Sequence, residues 1–457
     1  MGVILASAGS AVGLGNIWRF PTEVGSNGGA AFILVYLGFV IFLALPVMVC
    51  EFLMGRSSHS NTVGAWKVLA PGSPLIVAGY MGIVAGVLIL SFYSVVAGWT
   101  LDYTVLSLTC QLSGSQDYAS VFQSFVANPW KPIVFLVLFL LVTHWIVVRG
   151  VERGIERYSK LMMPMLLLII LVLVVYAVNM PGAEKGLAFL LHPDFSKLTP
   201  RVALSAMGQA LFSLSVGIGC LTTYASYFRK ETRLMSSALS VCLIDTLVAV
   251  MSGFIIFPAV FSVQGVGVDE GPGLVFITLP YVFDSAFRGM PVLGYIFSGL
   301  FYLLLMLAAL TSSISMHEIA TAFLTDRSTD RSATDRLQGK AYEEERRRAA
   351  RIVTTVCILL GTACSLSFGP WKDYTLLGMG VFEWFDYVTA KFCMPLGALI
   401  ISIFVGWMMP QREVRAQLTN WETLPVRLYG IFRFLARWVA PLGVTIVFIN
   451  ELLGHGA

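Results

Sequence analysis

Apolar residues run through this sequence in long blocks separated by short polar breaks, and each block is about as long as a helix needs to cross a membrane. Roughly 20 residues, rising 1.5 Å each, traverse about 30 Å of hydrocarbon. Eleven blocks meet that test, over approximately 1–20, 30–55, 75–108, 132–149, 155–178, 200–228, 235–263, 291–325, 350–368, 378–409 and 430–453. Inside hydrocarbon every backbone polar group must find its partner within the chain, so segments of this length predict helices rather than barrel strands. Basic residues divide unevenly between alternate connections. Residues 56–67, 149–160, 229–233, 327–351 and 412–437 hold 22 of the 30 lysines and arginines. Cationic loops stay on the cytoplasmic side, which predicts a cytoplasmic N-terminus and, after eleven crossings, an outside C-terminus. No basic stretch or small-residue cleavage site marks the first block, so no removable signal peptide is expected. The EEERRR run at 343–348 reads as a solvated helix face within a charged cytoplasmic connection, 326–351.

Composition changes this picture only by strengthening it. Apolar and aromatic residues make up 57% of the 457 positions and charged residues 12%, and mean hydropathy is +0.80. A soluble domain carries about 25% charged residues; half that share cannot cover a soluble globule of this size. The seven cysteines (50, 110, 220, 242, 357, 364 and 393) form no CxxC and lie mostly in or beside apolar blocks. They read as small packing residues, with no disulfide framework or metal site. Five scattered histidines make no metal-binding spacing, and no P-loop, GxSxG or kinase signature is present. The chain is therefore not expected to be an enzyme. Its expected partners are the lipid bilayer and a small solute, with no nucleic acid. Nothing in the sequence fixes an oligomeric state.

Two of the eleven blocks are poor continuous helices. The first reads GVILASAGSAVGLGNIWRFP and the sixth has SLSVGIG at its centre. A glycine costs a helix roughly 1 kcal/mol relative to alanine. One such cluster can mark close packing: Gly9 and Gly13 have the small-xxx-small spacing of membrane helix interfaces. Two clusters, five spans apart, fit a different pattern, in which inverted repeats place interrupted helices at matching positions around a mid-membrane site. The predicted fold is thus an all-α membrane protein of eleven transmembrane helices. Two five-helix inverted repeats (1–178 and 200–409) have helices one and six broken, and one helix (430–453) is added. A broken helix bares carbonyls for a cation and N–H groups for an anion, with about half an elementary charge at each half-helix end. In the eighth block, Thr311 and Ser312 put two hydroxyls deep in an apolar run. Each can bond back to its own helix, or serve beside a broken helix as a hard oxygen donor for Na⁺.

The segments AGSAVGLGNIWRFP (8–21) and NGGAAF (27–32) resemble the first-helix hallmark of the neurotransmitter:sodium symporter family. The likeness continues, in the family's order, through SFYSVVAGW (91–99), GQALFSLSVGIG (208–219), TTYASYFRK (222–230), SGFIIFP (252–258) and LTSSIS (310–315). It is strongest to the bacterial amino acid branch. The resemblance implies sodium-coupled import by alternating access, with two sodium sites. One would use Ala11, Asn16, Ser213 and Asp245; the other Gly9, Val12, Ala308, Thr311 and Ser312. The substrate carboxylate would meet the first sodium, the amides near Leu14 and Gly15, and the Tyr93 hydroxyl. Its amine would face Ala11, Phe212, Ser213 and Ser215. Ser10, Ile89, Phe212, Ile218, Ser312 and Met316 would line the side-chain pocket. Arg19 and Asp386 match an outer gate pair, and Tyr227 and Asp326 members of an inner gate network. Gly154 and Pro164 match an unwinding motif, though an ordinary proline kink explains Pro164 equally well. Family members carry an Arg and a Trp upstream of the first helix as inner-gate partners; this chain starts after that point.

Substrate class and anion use follow from single positions. Monoamine carriers of the family hold an aspartate where this chain has Gly13, so the substrate must bring its own carboxylate. An uncharged pocket wall makes a charged side chain costly to bury, which predicts hydrophobic L-amino acids. In chloride-dependent relatives an Asn and a Ser stand where this chain has Asp245 and Ala249, while Tyr36, Gln209 and Ser213 match the rest of the chloride cage. A carboxylate about 4 Å from a sodium attracts it by roughly 4 kcal/mol at an effective dielectric of 20, so no chloride is expected. Asp245 could instead face a water-filled cavity, although carboxylates inside membranes are rare and usually functional. Two other classes compete. A channel would need a continuous polar pore or subunit symmetry, and neither is evident. A non-transporting amino acid sensor on a transporter fold is the remaining alternative.

Overall fold

The computed structural model describes residues 2–112, 117–180, 182–262, 273–287, 289–329, 340–423 and 429–453. Nine helices among them are long and apolar enough to cross a bilayer: Ala30–Ser58, Ile76–Leu108, Lys131–Val148, Arg153–Val178, Leu234–Phe261, Val292–Asp326, Ala341–Leu366, Val381–Met408 and Tyr429–Asn450. In chain order we number them spans two to five and seven to eleven. Span one is the interrupted run Gly2–Ala11, Gly15–Arg19 and Phe20–Ser26. Span six is the pair Pro200–Ser213 and Cys220–Ala225. The described residues form no strand, only an isolated bridge between Leu376 and Met379.

Burial separates the centre from the rim. In its most apolar stretch span three is 67% buried and span eleven only 28%, so span three is central and span eleven peripheral. Span three packs along span eight more extensively than any other described helix pair. The outer spans expose apolar stripes at helical spacing, such as Leu161, Leu168, Leu171, Val172 and Val175 on span five and Leu239, Leu243 and Leu247 on span seven. A soluble protein does not leave such contiguous patches open; lipid covers them.

Most span limits fall within three residues of those read from hydropathy. Two do not. Span one continues to Ser26 rather than ending at residue 20, because Pro21 enters where the last helical piece begins and a first-turn proline forfeits no helical hydrogen bond. Span nine starts near residue 341 rather than 350. Its charged opening turns are helical because Tyr342, Arg346, Ala349, Ala350 and Val353 bury one face, at the spacing of an amphipathic helix.

That last point corrects the reading of EEERRR as a solvated face. Glu343, Glu344, Arg347 and Arg348 are exposed, but Arg346 is buried. Its guanidinium pairs with the buried Glu318 of span eight at 2.5 Å and donates to the Val147 carbonyl at 2.9 Å. Residues 330–339 of the same connection lie outside the described residues. The cysteines are all free thiols, six of them buried.

Candidate functional site

Both interruptions fall at the glycine clusters. Span one leaves the helix at Val12 and Gly13. A side chain at 13 would have no room: a Cβ there would come within 2.4 Å of the Ser312 hydroxyl and 2.8 Å of the Tyr93 hydroxyl. Span six is open over 214–219, where Ser215, Gly217 and Gly219 have φ of 51°, 95° and 76°. This left-handed region is costly for residues with a Cβ. Here the backbones touch, for a Cβ on Gly397 of span ten would lie 1.9 Å from the Gly217 carbonyl.

Oxygen atoms converge at the first break. The Thr311 hydroxyl lies 3.2 Å from the Val12 carbonyl and 2.9 Å from Ala308 on its own helix. Ser312 donates to Val12 at 2.9 Å and lies 3.4 Å from the Ser10 carbonyl. Thr311 thus has both partners the sequence allowed, its own helix and the broken one. Gly9 faces the same place, its hypothetical Cβ 3.3 Å from that of Thr311. Thr311, Ser312, Val12 and Ala308 are all buried.

A second polar cluster joins spans one, six and seven. The Asn16 amide donates to Asp245 Oδ1 at 2.7 Å and to Ser213 at 3.1 Å, while its oxygen accepts from the Gly13 N–H at 2.9 Å. Ser213 donates to Asp245 Oδ2 at 2.7 Å, and Tyr36 donates to Ser213 at 3.3 Å. Asp245 and Asn16 are fully buried, so this carboxylate faces protein donors, not a water-filled cavity. Gln209 reaches the Gly15 carbonyl at 3.5 Å, and Ala249 is buried.

Between the clusters, the Leu14 N–H donates to the Tyr93 hydroxyl at 2.9 Å. Ser10 meets Cys220 at 3.1 Å. Ala11, Ile89, Ile218 and Met316 are buried, whereas Gly15, Phe212 and Ser215 are half-buried. The Arg19 guanidinium lies over the Phe212 ring, 4.1 Å from its centroid, and Asp386 is the last residue of the first helical piece of span ten, Val381–Asp386. Tyr227 donates to Glu318 at 2.9 Å, and Asp326 accepts from Asn61 at 2.5 Å. Gly154 sits in a π-helical stretch, Val151–Glu156, where a Cβ would come 2.2 Å from the Ile146 carbonyl, so close packing alone requires glycine. Pro164 lies inside a continuous helix, Arg157–Val178.

Sequence reasoning missed Glu51. This buried residue of span two accepts from the Gly217 N–H at 2.6 Å and from the Thr222 N–H at 3.2 Å. It ties up amides freed by the second break. The signal was available, since an ionisable residue in an apolar run such as LPVMVCEFLM is functional by default. Glu318 and His317 carried the same signal in SMHEIATAF. His317 bonds Thr354 and Thr321, at 2.8 and 2.9 Å, and His144 bonds Thr354 at 2.8 Å.

Comparison with known proteins identifies the family. The sequence profile of the sodium:neurotransmitter symporter family matches residues 1–128 and 120–455. The chain is 38% identical over 453 residues to the uncharacterized sodium-dependent transporter YhdH of Bacillus subtilis, covering 98% of this chain and 96% of that one. An uncharacterized sodium-dependent transporter of Haemophilus influenzae is 33% identical, with 98% and 96% covered. The crystal structure of MhsT in complex with L-phenylalanine is similar with a TM-score of 0.87 and 42% identity, covering 98% of both chains. On a profile matched along its length, and on relatives and a solved structure this similar, the chain belongs to the sodium:neurotransmitter symporter family of membrane transporters.

Proposed function

We propose that this transporter imports hydrophobic L-amino acids by coupling them to sodium through alternating access, without chloride. The observation that carries the reading is the convergence of the Thr311 and Ser312 hydroxyls on the carbonyl of Val12. Oxygen donors alone, neutral and packed at a helix break, suit a hard cation and no softer metal. Gly9, Val12, Ala308, Thr311 and Ser312 make this sodium site. Ala11, Asn16, Ser213 and Asp245 make the other, where a fixed carboxylate supplies the charge that chloride supplies elsewhere. The Asn16 oxygen turns from the Gly13 amide to the cation, which frees that N–H beside Leu14 for a substrate carboxylate.

The substrate lies between the breaks. Its carboxylate takes the Leu14 and Gly15 amides and the Tyr93 hydroxyl; its amine takes carbonyls of Ala11, Phe212 and Ser213 and the Ser215 hydroxyl. Ser10, Ile89, Phe212, Ile218, Ser312 and Met316 form the wall. Gly13 leaves the site without a fixed acid for a monoamine, and MhsT was solved with L-phenylalanine, a hydrophobic α-amino acid. Arg19 and Asp386 close the outer side, with Arg19 over Phe212. Tyr227 and Asp326 belong to the inner closure, and Gly154 and Pro164 to the span that opens it. The uneven basic loops support a cytoplasmic N-terminus and an outside C-terminus.

The test is binding of labelled L-phenylalanine to the purified chain in sodium or potassium buffer. Binding is expected only in sodium, with leucine, valine and methionine competing. Binding of equal strength in potassium, or stronger competition by lysine, glutamate or dopamine, contradicts the reading.

A further inference from the structure

Arg437 lies eight positions into span eleven, within a π-helical stretch, Leu435–Val439. It meets a second such stretch, Phe404–Met408, at the end of span ten. The two backbones approach so closely that a Cβ on Gly406 would stand 2.9 Å from the Arg437 Cα. The guanidinium is stacked 3.7 Å from the Trp407 ring centroid and 6.0 Å from that of Trp438. The two indoles meet edge to face at 4.7 Å, and the Trp407 N–H donates to the Arg437 carbonyl at 3.0 Å. The cation is therefore held in place by a built aromatic frame.

Among the described residues its side-chain donors have no hydrogen-bond acceptor. Arg437 Nε is buried without a hydrogen-bond partner, and among the described residues no carboxylate lies within ion-pair distance of Arg437. A charge-bearing group left this way on an apolar helix is costly. The surroundings open to lipid rather than to protein: Trp407, Met408, Phe434 and Trp438 are all exposed. Depth is fixed by span ten, whose last helical residue is Met408, so Arg437 stands at the membrane–water boundary that tryptophans favour. Phosphate groups of phospholipids lie at that level. A guanidinium offers them a fork of donors that a point charge does not. Arg433, one helical turn earlier and half-buried, adds a second cation on the same side.

We propose that Arg437, framed by Trp407 and Trp438, binds the headgroup phosphate of an anionic phospholipid where spans ten and eleven meet the interface. A net-negative lipid, unlike a zwitterionic one, brings the counter-charge that the described residues do not supply. The proposal is independent of the symport reading, because its readout is lipid association and not transport.

The experiment uses the full chain in nanodiscs and measures association of spin-labelled phosphatidylglycerol against spin-labelled phosphatidylcholine. Wild type is expected to prefer phosphatidylglycerol, and Arg437→Gln to lose about five-fold of that preference, the value of one basic residue near an anionic surface. Arg437→Lys should retain part of it. No preference in wild type, or an unchanged preference in a monodisperse Arg437→Gln protein, overturns the proposal. If that variant does not fold, native mass spectrometry of wild type decides: co-purified phosphatidylglycerol displaced by excess phosphatidylglycerol but not by phosphatidylcholine supports it, and equal displacement by both overturns it. Stabilisation by inorganic phosphate in phosphatidylcholine discs, matching that by phosphatidylglycerol, would make this a site for soluble anions and overturn it as well.

Discussion

The two interrupted helices break in opposite senses. Span one opens over two residues and turns carbonyls inward, and its Val12 oxygen meets the hydroxyls of Thr311 and Ser312. Span six opens over 214–219, and Glu51 occupies its freed N–H groups at Gly217 and Thr222. Toward span eight the first break thus presents an acceptor surface, which in the symport reading we propose holds a cation. At the second, two of the freed amides are already satisfied by a protein carboxylate; in the symport reading we propose, its carbonyl side takes the substrate amine. Breaks that look alike as glycine clusters are chemically distinct because different neighbours reach them.

The largest effect should come from removing the hydroxyls at the first break. Thr311→Ala combined with Ser312→Ala leaves a cation short of two oxygens in a low-dielectric site, at a cost of several kcal/mol. Sodium-driven uptake is expected to fall ~100-fold or more, with expression and melting temperature in sodium-free buffer unchanged. Normal sodium-dependent uptake by the double variant would remove this cluster from the coupling mechanism.

The second break should respond differently. Glu51→Ala strips acceptors from two buried amides, and each unsatisfied group costs about 1–3 kcal/mol. Substrate affinity at saturating sodium is expected to drop ~10-fold or more, with Glu51→Gln intermediate because its single oxygen can serve one amide. The sodium concentration for half-maximal binding should move less than it does in the Thr311/Ser312 variant. A larger shift in sodium dependence than in substrate affinity would erase the distinction between the breaks.

The smallest effect concerns the charge beside the first break. Asp245→Asn paired with Ala249→Ser replaces the built-in carboxylate with the groups found in chloride-dependent relatives. Uptake by wild type should be the same in chloride and gluconate. The paired variant should be several-fold weaker in gluconate and regain part of that loss in chloride, because the attraction of the carboxylate for the cation is largely replaced by the substituted polar groups and the anion. Chloride dependence in wild type would contradict the assignment, and a fully active Asp245→Asn single variant in gluconate would show that the compensating charge lies elsewhere.

Much of the fold is legible in the sequence, for identifiable reasons. Hydropathy located the spans because a bilayer sets helix length, and glycine clusters located the breaks because glycine weakens helices in a solvent that cannot repair them. Thr311 and Ser312 stood out as hydroxyls in an apolar run. Less visible were contacts that depend on three-dimensional neighbours. Nothing local to Glu51 names Gly217 or Thr222, which are 166 and 171 positions away. Arg346 was hidden in a charged run, where composition outweighed periodicity; spacing from Tyr342 to Val353 would have shown which of three arginines turns inward. Arg437 read only as one more positive charge in a basic connection, because a π-helical stretch and a facing Gly406 leave no simple sequence pattern.

Sodium symport requires that a sodium gradient alone drive accumulation. Purified chain in proteoliposomes, given labelled L-leucine or L-phenylalanine outside and an inward sodium gradient with gluconate as the only anion, should concentrate the amino acid above the outside level. Accumulation should collapse when a sodium ionophore dissipates the gradient, and should not appear in the Thr311/Ser312 double variant. Binding without uptake, simple equilibration across the membrane, or accumulation that persists when potassium replaces sodium would contradict it.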